Sequence, residues 1–127
     1  MTLVVDASVA AEVLLGTSRA AGAVSAMGEH HLIAPHHLTA EVASVLRGWS
    51  LGGHLSEERA LVAFEEFEQF GIDQIDMTGL LPTVFALRHN MTAYDALYVV
   101  LARVAGCRLL TFDRRLAGAA PDCAVVP

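Results

Sequence analysis

Short apolar runs rich in β-branched residues alternate with longer amphipathic segments along the whole chain. The short runs predict strands at residues 3–5, 31–34, 72–76, 108–112 and 124–126. Apolar positions recur at helical spacing in the segments between them, which predicts helices over residues 7–15, 19–28, 38–49, 57–70, 79–89, 93–105 and 113–117. Such an alternation predicts an α/β fold built on a central, mainly parallel sheet.

The composition narrows the class of protein. A chain of 127 residues, of which 54% are hydrophobic, predicts one domain over residues 1–127 and argues against disorder. The longest apolar run, residues 96–102, is far shorter than the roughly 20 residues of a membrane span. No basic stretch precedes Asp6, so we expect no signal peptide, no membrane association and a cytoplasmic location. Cys107 and Cys123 lack metal-type spacing and are expected to be small buried side chains.

The charge of the chain is unusual for a protein that would bind nucleic acid through a general basic surface. The formal net charge is −6, and all eight basic residues are arginines. A nucleic-acid-binding domain of the common kind would be basic. RNA or DNA is not excluded, however, because a bound cation could neutralise several of the acids.

Four acids stand out by position. Asp6 and Asp113 each follow a predicted strand, and ligands of open α/β sheets bind at the carboxyl ends of the strands. Both could equally be helix N-caps. Asp95 follows Thr92 by three residues, as in a capping box, but it opens an almost wholly apolar helix. Glu41 lies one turn inside its helix, on the shoulder of the apolar stripe, where an ordinary boundary glutamate is the alternative.

Parallel strand order would bring these acids to one edge of the sheet. Two carboxylates about 5 Å apart repel by roughly 3 kcal/mol at an effective dielectric constant near 20, so such a cluster needs a counter-charge. Hard oxygen ligands favour Mg²⁺ or Mn²⁺. The acids therefore predict a divalent metal site that could hydrolyse a phosphodiester. His36 or His37 could also lie near this edge.

The segments around the acids read VVDASV, TAEVASVLR, TAYDALYVVLA and LLTFDRRLA. In order and spacing they resemble the four signature segments of PIN domains and, more narrowly, of the VapC toxins of bacterial toxin–antitoxin modules. The resemblance covers essentially the whole chain and implies a three-layer α/β/α sandwich with Mg²⁺- or Mn²⁺-dependent endoribonuclease activity. It assigns catalytic roles to Asp6, Glu41, Asp95 and Asp113, metal binding to Asp6, Asp95 and Asp113, and supporting roles to the hydroxyls of Ser8 and Thr111.

The resemblance also implies partners. These are an RNA substrate, a second copy of the chain in a homodimer, and a cognate VapB-type antitoxin whose C-terminal segment fills the active-site groove. Some relatives carry a further acid just after the fourth acidic position. Here Arg114 and Arg115 follow Asp113, which weakens the case for a second metal and offers two side chains that could contact RNA phosphates.

Two other functions are consistent with parts of the sequence. The chain could be a catalytically inactive PIN-like module that only binds partners, although its acids are all present. It could also be a receiver-like signalling domain phosphorylated on an aspartate. Such domains need a lysine near the phosphoryl group and paired acids after the first strand, whereas this chain has no lysine and Asp6 stands alone.

Overall fold

The computed structural model describes residues 1–127. It contains five strands and seven α-helices, and every predicted element is present. The strands are β1 (Thr2–Val5), β2 (His31–Pro35), β3 (Asp73–Ile75), β4 (Arg108–Leu110) and β5 (Ala124–Val125). The helices are α1 (Ala7–Leu15), α2 (Ala20–Met27), α3 (Leu38–Leu51), α4 (Glu57–Gln69), α5 (Leu81–Ala86), α6 (Ala93–Ala105) and α7 (Arg114–Ala119).

The strands form one sheet in the order β3-β2-β1-β4-β5, and all four pairings are parallel. β1 is therefore the central strand. Its last residue, Val5, pairs with Leu110 at the end of β4. Since both strands run in the same direction, the residues that follow them, Asp6 and Thr111, emerge side by side at the carboxyl edge. This confirms the predicted parallel sheet and accounts for the approach of two distant parts of the chain.

Helices cover both faces of the sheet, because the side chains of a strand alternate between its faces. Val4 of β1 belongs to the larger hydrophobic cluster, to which α6 contributes Val99 and Val100. Leu3 and Val5 belong to a second, smaller cluster with side chains of α1 and α2. The arrangement confirms the three-layer α/β/α sandwich.

The helix predicted over residues 79–89 is shorter than expected. The chain instead forms a 3₁₀ turn at Thr78–Leu80 and then α5, at Leu81–Ala86. Pro82 fixes the start of this helix, because proline lacks an N–H group and is tolerated only in the first turn. After the helix, backbone N–H groups bond to carbonyls three residues back, as in turns, so the helical spacing of the sequence is not continued.

The two cysteines differ in burial. Cys123 is buried as predicted, whereas Cys107 is only half-buried, and both thiols are free. The expectation was wrong for Cys107 because it follows the surface turn at Gly106, at the amino-terminal end of β4. None of the helices is long and apolar enough to cross a membrane.

Candidate active site

One cleft at the carboxyl edge of the sheet is lined by all four predicted acids and has a volume of about 480 Å³. A larger cleft of about 660 Å³, beside α1, α3 and α4, holds the single carboxylate of Glu12 and none of the predicted site residues. We therefore place the candidate site in the smaller cleft. Its acids are Asp6 after β1, Glu41 in the first turn of α3, Asp95 in the first turn of α6, and Asp113 before α7.

Asp6 is the most buried of these acids, with 6% of its surface exposed. Its Oδ1 accepts a hydrogen bond from the Ser8 hydroxyl at 2.6 Å and caps α1 by accepting from the Val9 N–H at 3.1 Å. The Ser8 hydroxyl in turn accepts from the N–H of Phe112 at 3.0 Å. Ser8 thus joins the start of α1 to the end of β4 and fixes the orientation of the Asp6 carboxylate.

Asp113 is also a helix cap. Its Oδ1 accepts from the N–H groups of Arg115 and Leu116 at 3.0 and 3.1 Å, while its own N–H donates to the Thr111 hydroxyl at 3.0 Å. Thr111 is completely buried. For both Asp6 and Asp113 the capping bonds use Oδ1 and leave Oδ2. Capping and ligand binding, which the sequence presented as alternatives, are therefore compatible.

Glu41 is held by two side chains, one from the residue that precedes its own helix α3 and one from α6. The Tyr98 hydroxyl donates to its Oε1 at 2.7 Å, and His37 Nε2 lies 3.2 Å from the same oxygen. The His37 ring packs against the Tyr98 ring with 4.8 Å between centroids, and its Nε2 also lies 3.2 Å from the Tyr94 carbonyl oxygen. As predicted, His37 lies near the carboxyl edge of the sheet, beside Glu41. Tyr98 was not predicted to belong to the site, although a tyrosine three residues after Asp95 in a mostly apolar helix is a polar group that needs a partner.

The acids differ in how readily they carry charge. Burial raises the pKa of Asp6, and the hydroxyls of Ser8 and Thr111 offset this only in part. Burial and the neighbouring Asp113 carboxylate raise the pKa of Asp95, although Arg115 opposes the rise. The charged forms of Asp6 and Asp95 are therefore disfavoured, and a nearby cation would stabilise them.

Glu41 shows the opposite behaviour. Burial by itself would raise its pKa, but the hydrogen bonds from His37 and Tyr98 outweigh burial and hold the pKa of the Glu41 carboxyl below its ordinary value. Burial and the contact with Glu41 raise the pKa of the Tyr98 phenol far above its usual value. Near neutral pH, Tyr98 therefore keeps its proton and acts as a hydrogen-bond donor, and Glu41 is anionic.

The donor set suits a divalent cation. The cleft offers only carboxylate oxygens as anionic groups, the ligands that Mg²⁺ and Mn²⁺ prefer. Burial and, after it, the neighbouring Asp113 carboxylate raise the pKa of Asp95, so the like charge of this pair is only partly compensated by Arg115. As they stand, no three acidic, histidine or cysteine side chains converge closely enough to enclose an ion. Binding would therefore have to draw Asp6, Asp95 and Asp113 together, and their role as ligands stays a prediction.

The two arginines after Asp113 have different surroundings. Arg115 Nη2 lies 3.4 Å from Oδ2 of Asp95 and 3.9 Å from Oδ2 of Asp113. Arg114 is exposed and makes no ion pair or side-chain hydrogen bond. Arg114 and Arg115 were predicted to have the same roles, yet only Arg115 lies among the acids.

Comparison with known proteins identifies the family. The model of the PIN domain matches residues 3–120. Ribonuclease VapC3 of Mycobacterium tuberculosis is 38% identical over 121 residues, which cover 94% of this chain and 88% of that protein. Ribonuclease VapC1 of the same organism is 37% identical over 118 residues, covering 91% and 89%. Ribonuclease VapC3 of Pyrobaculum aerophilum is 37% identical over 122 residues, covering 92% and 93%.

A solved structure agrees at the level of the fold. The crystal structure of PAE2754 from Pyrobaculum aerophilum superposes with a TM-score of 0.71 and covers 98% of this chain and 83% of that one, at 20% identity. The match in sequence spans all four acidic segments, and the match in fold spans all three layers. Together they exclude the receiver-like alternative. The chain belongs to the PIN domain family and is a homologue of the VapC ribonucleases.

Proposed function

We propose that the protein is a metal-dependent endoribonuclease that hydrolyses RNA phosphodiester bonds and acts as the toxin of a toxin–antitoxin pair. The observation that carries this proposal is the single cleft in which all four acids lie, in a chain whose relatives are VapC ribonucleases. The acids come from four separate segments of the sequence. A purely structural role for all four would not require them to share one cleft.

Asp6, Asp95 and Asp113 are the residues that would hold Mg²⁺ or Mn²⁺. When bound, such an ion would supply Lewis-acid stabilisation of the phosphate and lower the pKa of a coordinated water. Ser8 orients the Asp6 carboxylate, and Thr111 fixes the backbone at Asp113. Ser8 lies in the first turn of α1 and Thr111 directly follows β4, so their hydrogen bonds limit how far the two carboxylates can turn.

Glu41 is suited to orienting the attacking water. Its Oε1 is occupied by Tyr98 and His37, which leaves Oε2 available to accept a hydrogen bond. Because its pKa is lowered, whereas the pKa values of Asp6 and Asp95 are raised, Glu41 stays an anionic acceptor at lower pH than those two acids do. Glu41 would thus position the nucleophile without itself having to change protonation state.

The partners follow from the same assignment. We propose RNA as the substrate, a VapB-type antitoxin as the inhibitor and a homodimer as the assembly. Exposed apolar side chains support this proposal, because contiguous apolar patches on a protein surface commonly mark sites of contact with other proteins. They occur on α4 and α5, at Leu61, Val62, Phe64, Leu81 and Phe85.

The test is cleavage of cellular RNA by purified protein, with Mg²⁺ and with EDTA, in the wild type and in Asp6→Asn and Asp95→Asn. The matched control is Asp73→Asn, an exposed acid at the amino-terminal end of β3, on the opposite edge of the sheet. We expect metal-dependent cleavage by the wild type and by the control alone. Cleavage by all proteins alike, or by none under any condition, would contradict the proposal; the second outcome would favour the inactive, partner-binding alternative.

A further inference from the structure

Apart from His37, Arg115 is the only basic side chain within ion-pair distance of the cleft carboxylates. Its Nη2 donates a hydrogen bond to Oδ2 of Asp95 at 3.4 Å and lies 3.9 Å from Oδ2 of Asp113. These are two of the three predicted metal ligands. The guanidinium therefore lies beside two of the carboxylates that would hold a divalent cation.

The position of Arg115 is set by its backbone and not by its side chain. Its N–H donates to Oδ1 of Asp113 at 3.0 Å, which fixes the residue in the first turn of α7. The side chain itself is 78% exposed. Because most of its surface faces solvent, the guanidinium can leave the two carboxylates without disturbing the helix.

We infer that Arg115 is a tethered counter-cation that competes with the divalent metal ion for Asp95 and Asp113. The inference rests on the metal site of the proposed function and deepens it. A divalent ion carries twice the charge of a guanidinium and binds carboxylate oxygens directly, so it displaces Arg115 when its concentration is sufficient. The competition lowers the affinity of the site for metal, and it lets the protein hold Asp95 and Asp113 close together before metal binds.

The neighbouring Arg114 provides a matched control. It carries the same charge one residue away, is exposed, and contacts none of the acids. Removing either arginine changes the net charge of the protein equally. A general charge effect would strengthen cation binding to both variants by the same amount, whereas direct competition would strengthen it only when Arg115 is removed.

The experiment is calorimetric titration with Mn²⁺ of the wild type, Arg115→Ala, Arg115→Gln and Arg114→Ala. An ion pair of this exposure predicts that both Arg115 variants bind Mn²⁺ about fivefold more tightly than the wild type. Arg114→Ala should differ from the wild type by less than about twofold, because solvent screens more distant charge. Equal tightening in Arg114→Ala and Arg115→Ala, or unchanged affinity in the Arg115 variants, would overturn the inference.

Thermal melting gives a second readout that does not depend on activity. In EDTA the Arg115 variants should melt below Arg114→Ala, because Asp95 and Asp113 lose their counter-charge; with saturating Mn²⁺ this deficit should disappear. A deficit that persists in Mn²⁺ would indicate a structural role and overturn the inference, as would absence of Mn²⁺ binding to every variant. If the Arg115 variants bind Mn²⁺ more tightly but no protein cleaves RNA, the inference stands and the ribonuclease proposal fails. Metal-dependent RNA cleavage with the same Mn²⁺ affinity in the wild type and the Arg115 variants would mean that the ribonuclease proposal stands and the inference fails.

Discussion

The hydroxyl of Tyr98 in α6 donates a 2.7 Å hydrogen bond to Oε1 of Glu41 in α3, across 57 residues of sequence. The bond joins two helices whose first turns both line the cleft at the carboxyl edge of the sheet. It fixes the Glu41 carboxylate and helps to hold its pKa below the ordinary value against the effect of burial. Glu41 is therefore placed by α6 as much as by its own helix.

Removing this hydroxyl should affect both stability and pH dependence. Tyr98→Phe should lower the free energy of unfolding by about 1 kcal/mol, because a partly buried carboxylate loses a donor. The pKa of Glu41 should rise, so the free energy of unfolding should gain less than in the wild type as the pH increases from about 3 to about 6. Urea denaturation at a series of pH values measures both effects. Tyr94→Phe is the control: Tyr94 is 63% exposed and its hydroxyl makes no hydrogen bond, so this variant should change neither, and equal shifts in both variants would refute this assignment.

Ser8 is expected to matter more than its size suggests. Ser8→Ala removes the donor to Asp6 and leaves the N–H of Phe112 without its acceptor. We expect a loss of about 1–3 kcal/mol in the free energy of unfolding, the usual cost of unsatisfied polar groups in a protein interior. Chemical denaturation measures this loss. Ser44→Ala, in the same cleft but without a hydrogen bond, is the control; matching midpoints for the two variants would show that the Ser8 bonds contribute nothing.

Asp6 should show opposite effects on activity and stability. Asp6→Asn should reduce RNA cleavage by at least about 100-fold, since loss of groups around a metal already costs 10- to 100-fold. In EDTA the same variant should melt at a higher temperature than the wild type, because burial raises the pKa of Asp6 and so disfavours its anion. Differential scanning calorimetry tests this. A lower melting temperature for Asp6→Asn would mean that the anion is satisfied without metal.

The pH dependence of stability has a defined sign for Asp95. Its pKa is raised above 3.8, so the folded state holds the proton more tightly than the unfolded state. This contribution is complete below 3.8 and is lost as the pH rises through the raised value. In EDTA, Asp95→Asn should therefore gain stability relative to the wild type as the pH increases.

Glu41 should give the opposite slope and serves as the comparison for Asp95. Its lowered pKa stabilises the folded state above its ordinary value of 4.5, and this contribution is lost as the pH falls. Glu41→Gln should therefore lose stability relative to the wild type as the pH increases. Unfolding free energies from about pH 3 to pH 7 decide the matter. Slopes of the same sign for both variants would show that the two environments are not distinct.

The order of strands and helices was readable from the sequence because short β-branched runs and helical spacing are local signals. The convergence of Asp6 and Asp113 followed from parallel strands, whose carboxyl ends meet at one edge. The helix α5 was predicted too long at both ends, because Pro82 sets its start and turns replace the helix after Ala86.

Other features were beyond the sequence. The contacts of Tyr98 with Glu41 and of Arg115 with Asp95 depend on how α6 is placed against α3 and α7. No local sequence pattern predicts how these helices pack. The alternatives of helix cap and ligand also could not be separated in the sequence, and the structure gives the reason: a carboxylate has two oxygens, and capping occupies one.

The shared use of Asp6 and Asp113 as caps constrains how this protein could lose its activity over evolution. An alanine at either position would remove a cap as well as a carboxylate, with a cost of about 0.5–2 kcal/mol, whereas asparagine, serine or threonine would keep the helix start intact. Descendants that survive as inactive binding proteins should therefore carry those residues, and not alanine, at the two sites. A well-folded relative with asparagine at both positions would be an example of lost activity with retained helix caps.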